Sequence, residues 1–360
     1  MTDDELDELQ VQFDKALAEH QQCDADIPAD AGDTARQHDL RAQVREWGRI
    51  LQEEGRIPPG QPWWLQLRVI TYNLHNYSDT ADRAEQRALI RSLGADVLCV
   101  QEIRHHTDDP HDPGLGGLFR DLCADLDMDG RLAFARSGHH TAVLWRPDMT
   151  LKTWTDYRHW PWHHGCGVAE LDVGARQPLQ VAVTHLSPFS PDQRAHEAQL
   201  LGALAPSPDR WMIVGADLNA PSAEAPEPYA DQDPRGRHQL HQRIVSDIWP
   251  AGSDVAPVDR RAALLLDRHG LRDLADRGPG TPSPMTTGHH PADPHGPRRP
   301  DCLRTTPVLH TRAAGLQVHD TAAARLASDH LPLSTVLTVP WRPTFLPRPA
   351  ATHTDPGSSA

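Results

Sequence analysis

The chain has 360 residues, 38% of them hydrophobic, which suffices for a buried core and for one large domain with appendages. Its formal net charge of −15 argues against a passive nucleic-acid binder that works by neutralising phosphates, and with lysine only at Lys15 and Lys152 basic contacts come almost entirely from Arg. A nuclease stays open, because a metal ion can supply local positive charge in an acidic protein. The Gly-Lys-Ser/Thr end of a phosphate-binding loop is absent, and no apolar stretch approaches the ~20 residues of a membrane span. The five cysteines form no C-x-x-C pair and are odd in number, and the acidic N-terminus lacks a signal-peptide pattern, so free thiols and a cytoplasmic location are expected.

Two amphipathic helices open the chain. Leu6, Leu9, Phe13 and Leu17 recur at helical spacing, as do Leu40, Val44, Trp47 and Leu51, with Pro28 and Gly32 between them and Pro58-Pro59 after them. Residues 1–60 therefore read as a helical hairpin. It has two readings, a brace on the main domain or a surface for self-association or a protein partner; the brace is preferred, since the heptads are few for a coiled coil.

From residue 61 to about 340 strands and helices alternate. A strand ending at Tyr72 precedes a helix over Asp82 to Leu93, closed by Gly94, and a strand over Asp96 to Val100. A helix over Leu118 to Leu126 follows, then strands at Leu132 to Ala135, Ala142 to Trp145, Val168 to Val173 and Leu179 to Thr184. Ser190-Pro191-Asp192-Gln193 is a helix start, with a Ser cap, Pro at the first position and Gln at the third. That helix runs to Leu204 and precedes a strand over Trp211 to Val214. Pro221 to Asp259 reads as a long loop with a short helix at Leu240 to Ile248, and a helix over Arg261 to His269 leads to a second loop, Gly278 to Pro300. Strands at Thr305 to Leu309 and Leu333 to Val339 close the domain, and residues 341–360 read as a disordered tail.

Polar residues stand repeatedly at the ends of these apolar runs: Asn73, Glu102, His185, Asp217 with Asn219, and Asp329-His330. Phosphoester hydrolysis needs a cation for the phosphoryl oxygens, a group to orient or deprotonate water, and an acid for the leaving oxygen. Glu102 suits a hard cation such as Mg²⁺, with Asn73 beside it. Asp217 and Asn219 share a strand face in extended geometry, and His185 and His330 can donate to a phosphate or move protons near neutral pH. Singly each residue is weak, since Asp-x-Asn is a common turn former and a strand-end His is usually structural.

The ordered set TYNLH, VQEIR, THLSP, GADLN, RPDCL and SDHLP closely resembles the endonuclease/exonuclease/phosphatase superfamily, the deoxyribonuclease I-like fold, over about Arg68 to Val339. The resemblance implies an α/β fold, a four-layered sandwich of two packed, mixed but mostly antiparallel sheets flanked by helices. It also implies Glu102 as principal metal ligand with Asn73 and Asp329, and Mg²⁺ or Mn²⁺ as the metal. Asp217 would orient or activate water, Asn219 and Asn73 would contact the phosphate, and His185 and His330 would form the catalytic histidine pair, with Asp301 orienting His330. His75 stands where abasic-site nucleases of this superfamily carry an acid, and Arg299-Pro300-Asp301-Cys302 departs from the usual neighbours of the Asp.

Pairs of histidines also recur, at His105-His106, His139-His140, His163-His164 and His289-His290. None has zinc-site spacing, so they read as loop histidines, and His140 is the expected substrate contact. The resulting expectation is a divalent-metal-dependent phosphoester hydrolase acting on nucleic acid. The alternatives are a phosphatase or phosphodiesterase on a lipid head group or small molecule, and a catalytically silent scaffold binding through its N-terminal helices.

Overall fold

The computed structural model describes residues 1–22, 63–77, 83–105, 113–159, 161–223, 258–275, 284–290 and 297–341, with scattered residues between 40 and 56. The expected short helix at Leu240 to Ile248 and the tail from 342 onward lie outside the described residues. Helix α1 is Asp3–Gln22. After it come β1 (Trp63–Tyr77), α2 (Ala84–Leu93), β2 (Val97–Arg104), α3 (Pro113–Leu126), β3 (Asp129–Ala133), β4 (His139–Trp145) and β5 (Thr150–Tyr157). The second half holds β6 (Cys166–Asp172), β7 (Leu179–His185), α4 (Pro191–Ala203), β8 (Trp211–Asp217), α5 (Arg261–Arg268) and β9 (Arg272–Asp273). It ends with β10 (Asp301–Thr305), α6 (Pro307–His310), β11 (Gln317–Val318), α7 (Ala322–Ala327) and β12 (Leu333–Trp341).

The strands form two six-stranded sheets, ordered β11-β12-β1-β2-β4-β3 and β5-β6-β7-β8-β10-β9. Both are mixed and mostly antiparallel, and each has one parallel pair at its centre, β1 with β2 and β7 with β8. A parallel pair needs a crossover, which α2 supplies in the first sheet and α4 in the second. Strand alternation separates the layers. Val69, Val97, Cys99 and Val143 point inward to meet Val181, Val183, Ile213 and Leu303 of the other sheet. Their neighbours Ile70, Leu98, Val100 and Leu144 point outward onto Leu89 and Ile90 of α2 and Leu118 and Leu122 of α3. Ala182, Met212 and Val214 point outward onto Ala198 and Leu201 of α4 and Ala262 and Leu266 of α5. The result is the expected four-layered α/β sandwich.

Beyond the short β9, β11 and α7, which the sequence reading did not anticipate, three regions differ from its expectation. The first is β5, not anticipated: it pairs only with β6 and alternates half-buried with exposed residues, so its composition carries no apolar period. The second lies at 301–310, where the strand occupies Asp301–Thr305 ahead of the expected Thr305 to Leu309, because Pro307 starts a short helix after an extended Thr306. The third is β3, which starts at Asp129, in register with Trp145 at the end of β4, and stops at Ala133.

The N-terminal helices join the main core. Leu6, Phe13 and Ala16 of α1, with Leu40, Val44 and Leu51, share the inter-sheet apolar cluster with Leu65 and Leu67. Arg56 ties back to α1 through Asp3 and Asp7, each at 2.8 Å. No described helix is long and apolar enough to cross a membrane, and the four described cysteines form no disulfide. Phe13 is 2% exposed. Phe13→Ala is expected to lower the stability of the whole domain by about 3–5 kcal/mol, read as one shifted thermal transition. An unchanged transition would make α1 an appendage to the sandwich.

Candidate active site

The carboxyl ends of the two central parallel pairs lie at the same end of the sandwich, and the polar strand ends meet there. On the second sheet His185, Asp217 and Asp301 stand side by side, His185 in register with Asp217 and Asp217 with Asp301. They have the parity of Val183, Ile213 and Leu303, so all three face inward. Asn73 has the parity of Val69 and also faces inward. The sheets come close beneath it: a Cβ on Gly215, two residues before Asp217, would sit 2.6 Å from Cβ of Cys99 and 3.1 Å from Cβ of Thr71, so the position admits only glycine without displacement.

Glu102 is the exception to parity. An even position on β2 points outward, towards α2 and α3, yet the pairing slips between Val100 and Ile103, and Glu102 takes a left-handed φ of 64°. That bulge turns the carboxylate onto the site, where Oε1 accepts from Asn73 Nδ2 at 3.1 Å and Oε2 from the Asn76 N–H at 2.9 Å. His75 and Asn76 also have positive φ, 47° and 60°, an outlier pair of the kind that gathers at functional sites.

Asp217 is the hub. It is 1% exposed, and its Oδ2 accepts from Asn73 Nδ2 at 3.0 Å, across the gap between sheets. His185 Nε2 lies 3.4 Å from that oxygen and His330 Nε2 3.8 Å. Oδ1 accepts the Asn219 N–H at 2.8 Å, which holds Asn219 at a left-handed φ of 47° with its carboxamide nitrogen 2.7 Å from His185 Nε2. Burial alone would raise the Asp217 carboxyl; the imidazoles of His185 and His330 outweigh it and hold it below the ordinary range. Glu102 is lowered by the same balance of burial against His185 and His330.

His330 is held between two acids. Its Nδ1 donates to Asp301 Oδ2 at 2.8 Å, and the same oxygen accepts from Thr286 Oγ1 at 2.5 Å. Burial disfavours its charge, but Asp301 and Asp217 raise its pKa to about 10, so the ring is an imidazolium at neutral pH. Asp217, Asp301 and His330 lie close enough to hold a metal. A ring protonated on both nitrogens has no lone pair to offer, so this group reads as a proton-holding chain.

His140 is fully buried on the helix side of β4, with Nδ1 accepting the Ala135 N–H at 2.9 Å and its ring stacked 5.0 Å from Phe134, and so faces away from the residues gathered at Asp217. Its neighbour His139 has the inward parity of Thr141 and Val143 and lies 3.0 Å from Asn76 Oδ1. Asn73 turns its nitrogen to both carboxylates and its oxygen to the His75 N–H at 3.0 Å, and so forms a strut between the sheets. Asp329 stands at the edge, 3.7 Å from His75 Nδ1. Sequence reasoning missed Ser328, whose hydroxyl donates to the Asn73 carbonyl at 2.8 Å and accepts the His330 N–H at 3.1 Å; its place before Asp329-His330 was the available signal. It also missed Glu197, which accepts the N–H groups of His163 and Ser187 at 2.7 Å each.

A model of the Endonuclease/Exonuclease/phosphatase family matches residues 70–330. Solved structures share the fold at low identity. An AP endonuclease from Archaeoglobus fulgidus is 17% identical with a TM-score of 0.52, over 75% of this chain and 99% of that one. An endonuclease/exonuclease/phosphatase from Beutenbergia cavernae is 19% identical with a TM-score of 0.51, over 76% and 72%. Truncated TDP2 from Caenorhabditis elegans is 13% identical with a TM-score of 0.50, over 76% and 98%. No curated protein matches the chain.

The protonation state of His330 is directly measurable. Its folded pKa is raised above the ordinary value of about 6.5, so its stabilising contribution is complete below that pH and is lost as pH rises through about 10. In EDTA-treated protein the His330 ring signals are expected to titrate near the upper value by NMR. Asp301→Asn should bring them down and flatten the fall in melting temperature across that window. Titration of wild-type His330 near 6.5 would contradict the arrangement.

Proposed function

Because the chain belongs to the endonuclease/exonuclease/phosphatase family, we propose that it is a divalent-metal-dependent phosphoester hydrolase and, more narrowly, a nuclease that cuts phosphodiester bonds. The observation that carries this reading is the buried Asp217 carboxylate with His185 Nε2 at 3.4 Å and His330 Nε2 at 3.8 Å, the His330 ring being held by Asp301. Asp217 orients the attacking water and accepts its proton. His330 donates to a phosphoryl oxygen, with Asp301 holding its ring in place. Asn219 and His185 complete the contacts to the phosphate.

The donor set fits a hard cation. Glu102 is held ionised, its oxygens are fixed by Asn73 and the Asn76 N–H, and Asp329 adds a second carboxylate at the same end of the sandwich. Oxygen ligands of this kind suit Mg²⁺ or Mn²⁺ over zinc. Such an ion, when bound, stabilises charge on the phosphoryl oxygens.

A diester is the better match in charge. Glu102, Asp217, Asp301 and Asp329 surround the site in a chain of net charge −15, and a monoester would bring close to two negative charges where a diester brings one. The test is hydrolysis of plasmid DNA, single-stranded DNA, RNA and inositol phosphates with Mg²⁺ or Mn²⁺. Nucleic-acid cleavage that EDTA abolishes is expected, and Glu102→Gln and His330→Ala should each lower kcat by about 10²-fold or more without loss of folded protein. Phosphate release from inositol phosphates with no nucleic-acid cleavage would favour a phosphatase, and full activity in both variants would remove the site.

A further inference from the structure

Beside the catalytic histidines a row of flat rings runs from the buried site to the surface. The His185 ring is stacked on His164 at 4.3 Å with an interplanar angle of 26°. His164 meets His163 edge-on at 4.3 Å, and His163 meets Phe189 edge-on at 5.4 Å. Phe189 ends the row at 72% exposure, and among the described Phe, Tyr and Trp side chains it alone is exposed. A single exposed apolar side chain needs no explanation by itself. What distinguishes Phe189 is that it continues a ring row rooted in His185, only four residues away in sequence.

The row is also held rigidly. Glu197 of α4 accepts the N–H groups of His163 and Ser187, Arg194 donates to the Ser187 carbonyl at 3.0 Å, and Gln193 donates to the Pro161 carbonyl at 2.9 Å. Ser190 caps α4 by accepting the Gln193 N–H at 3.2 Å. Helix α4 thus fixes both loops that carry the rings, so little order remains to be imposed when a ligand stacks there. Burial, with neighbouring imidazoles, lowers the pKa of His163 and His164, so both present uncharged rings at neutral pH.

We propose that Phe189, backed by His163 and His164, is a subsite that stacks the nucleobase next to the scissile phosphate. The inference rests on the nuclease reading above. Bases stack on Phe and His faces with little regard for sequence, and a base is tethered one sugar away from the phosphate that His185 faces. The subsite confers affinity for a strand without drawing on basic side chains, in a chain whose 50 acids outnumber its 35 Lys and Arg.

The test is steady-state cleavage of short single-stranded DNA and RNA oligonucleotides with Mg²⁺ or Mn²⁺, intact or with single nucleosides replaced in turn by an abasic tetrahydrofuran residue. Phe189→Ala is expected to raise KM on the intact strand by about tenfold with kcat unchanged, and Phe189→Trp to restore it. On the strand that lacks the base beside the cut, wild type and Phe189→Ala should have equal KM. An unchanged KM on the intact strand, or an equal defect on the abasic strand, overturns the subsite alone. Hydrolysis of another phosphoester with no oligonucleotide cleavage overturns the nuclease reading and the subsite with it.

Discussion

The Asp217 carboxylate is where the two sheets are joined electrostatically, and most of the site exists to keep it charged. An ionised carboxylate that is 1% exposed is costly unless its lone pairs are filled by donors and cations. Asn73 reaches it from the opposite sheet, the Asn219 N–H from its own strand, and His185 and His330 approach its outer oxygen. The first is a side-chain bond across the gap and the second a backbone N–H, and the nearby imidazoles hold the carboxyl below its ordinary range against burial. The close approach at Gly215 lets one Asn side chain span both sheets.

The same requirement accounts for the backbone outliers. Glu102 has to leave the helix side of its sheet to share Asn73 with Asp217, and only a bulge with a left-handed residue does this in the middle of a paired strand. Asn219 is turned by its bond to Asp217, and the consecutive left-handed residues His75 and Asn76 bring an N–H onto Glu102. Asn76 and Asn219 are held in place by hydrogen bonds to those carboxylates, and His75 by one to the Asn73 amide oxygen.

Much of this was legible in the sequence. Apolar runs rich in Val, Ile and Leu marked the central strands, because strands covered on both faces must be apolar on both parities. His185, Asp217, Asp301 and His330, each at the end of its own segment, lie together in space. The rest turned on parity and on loops. His139 and His140 differ only in which face of β4 they occupy, and the inward run Thr141, Val143 and Trp145 pointed to His139. Strand β5 is solvated on an edge and has no apolar period to read. The partners that hold the site, Thr286 on Asp301 and Glu197 on the His163 loop, sit in a loop and a helix where sequence spacing says nothing of contact.

Asp217 is also where the account is most exposed. Asp217→Asn keeps the shape of the side chain and removes its charge, so the rate of metal-dependent oligonucleotide cleavage by this variant, with its folding followed by circular dichroism, is the most direct measurement. A folded protein whose kcat falls by about 10²–10⁴-fold is expected. A folded Asp217→Asn variant that cleaves at the wild-type rate would contradict it.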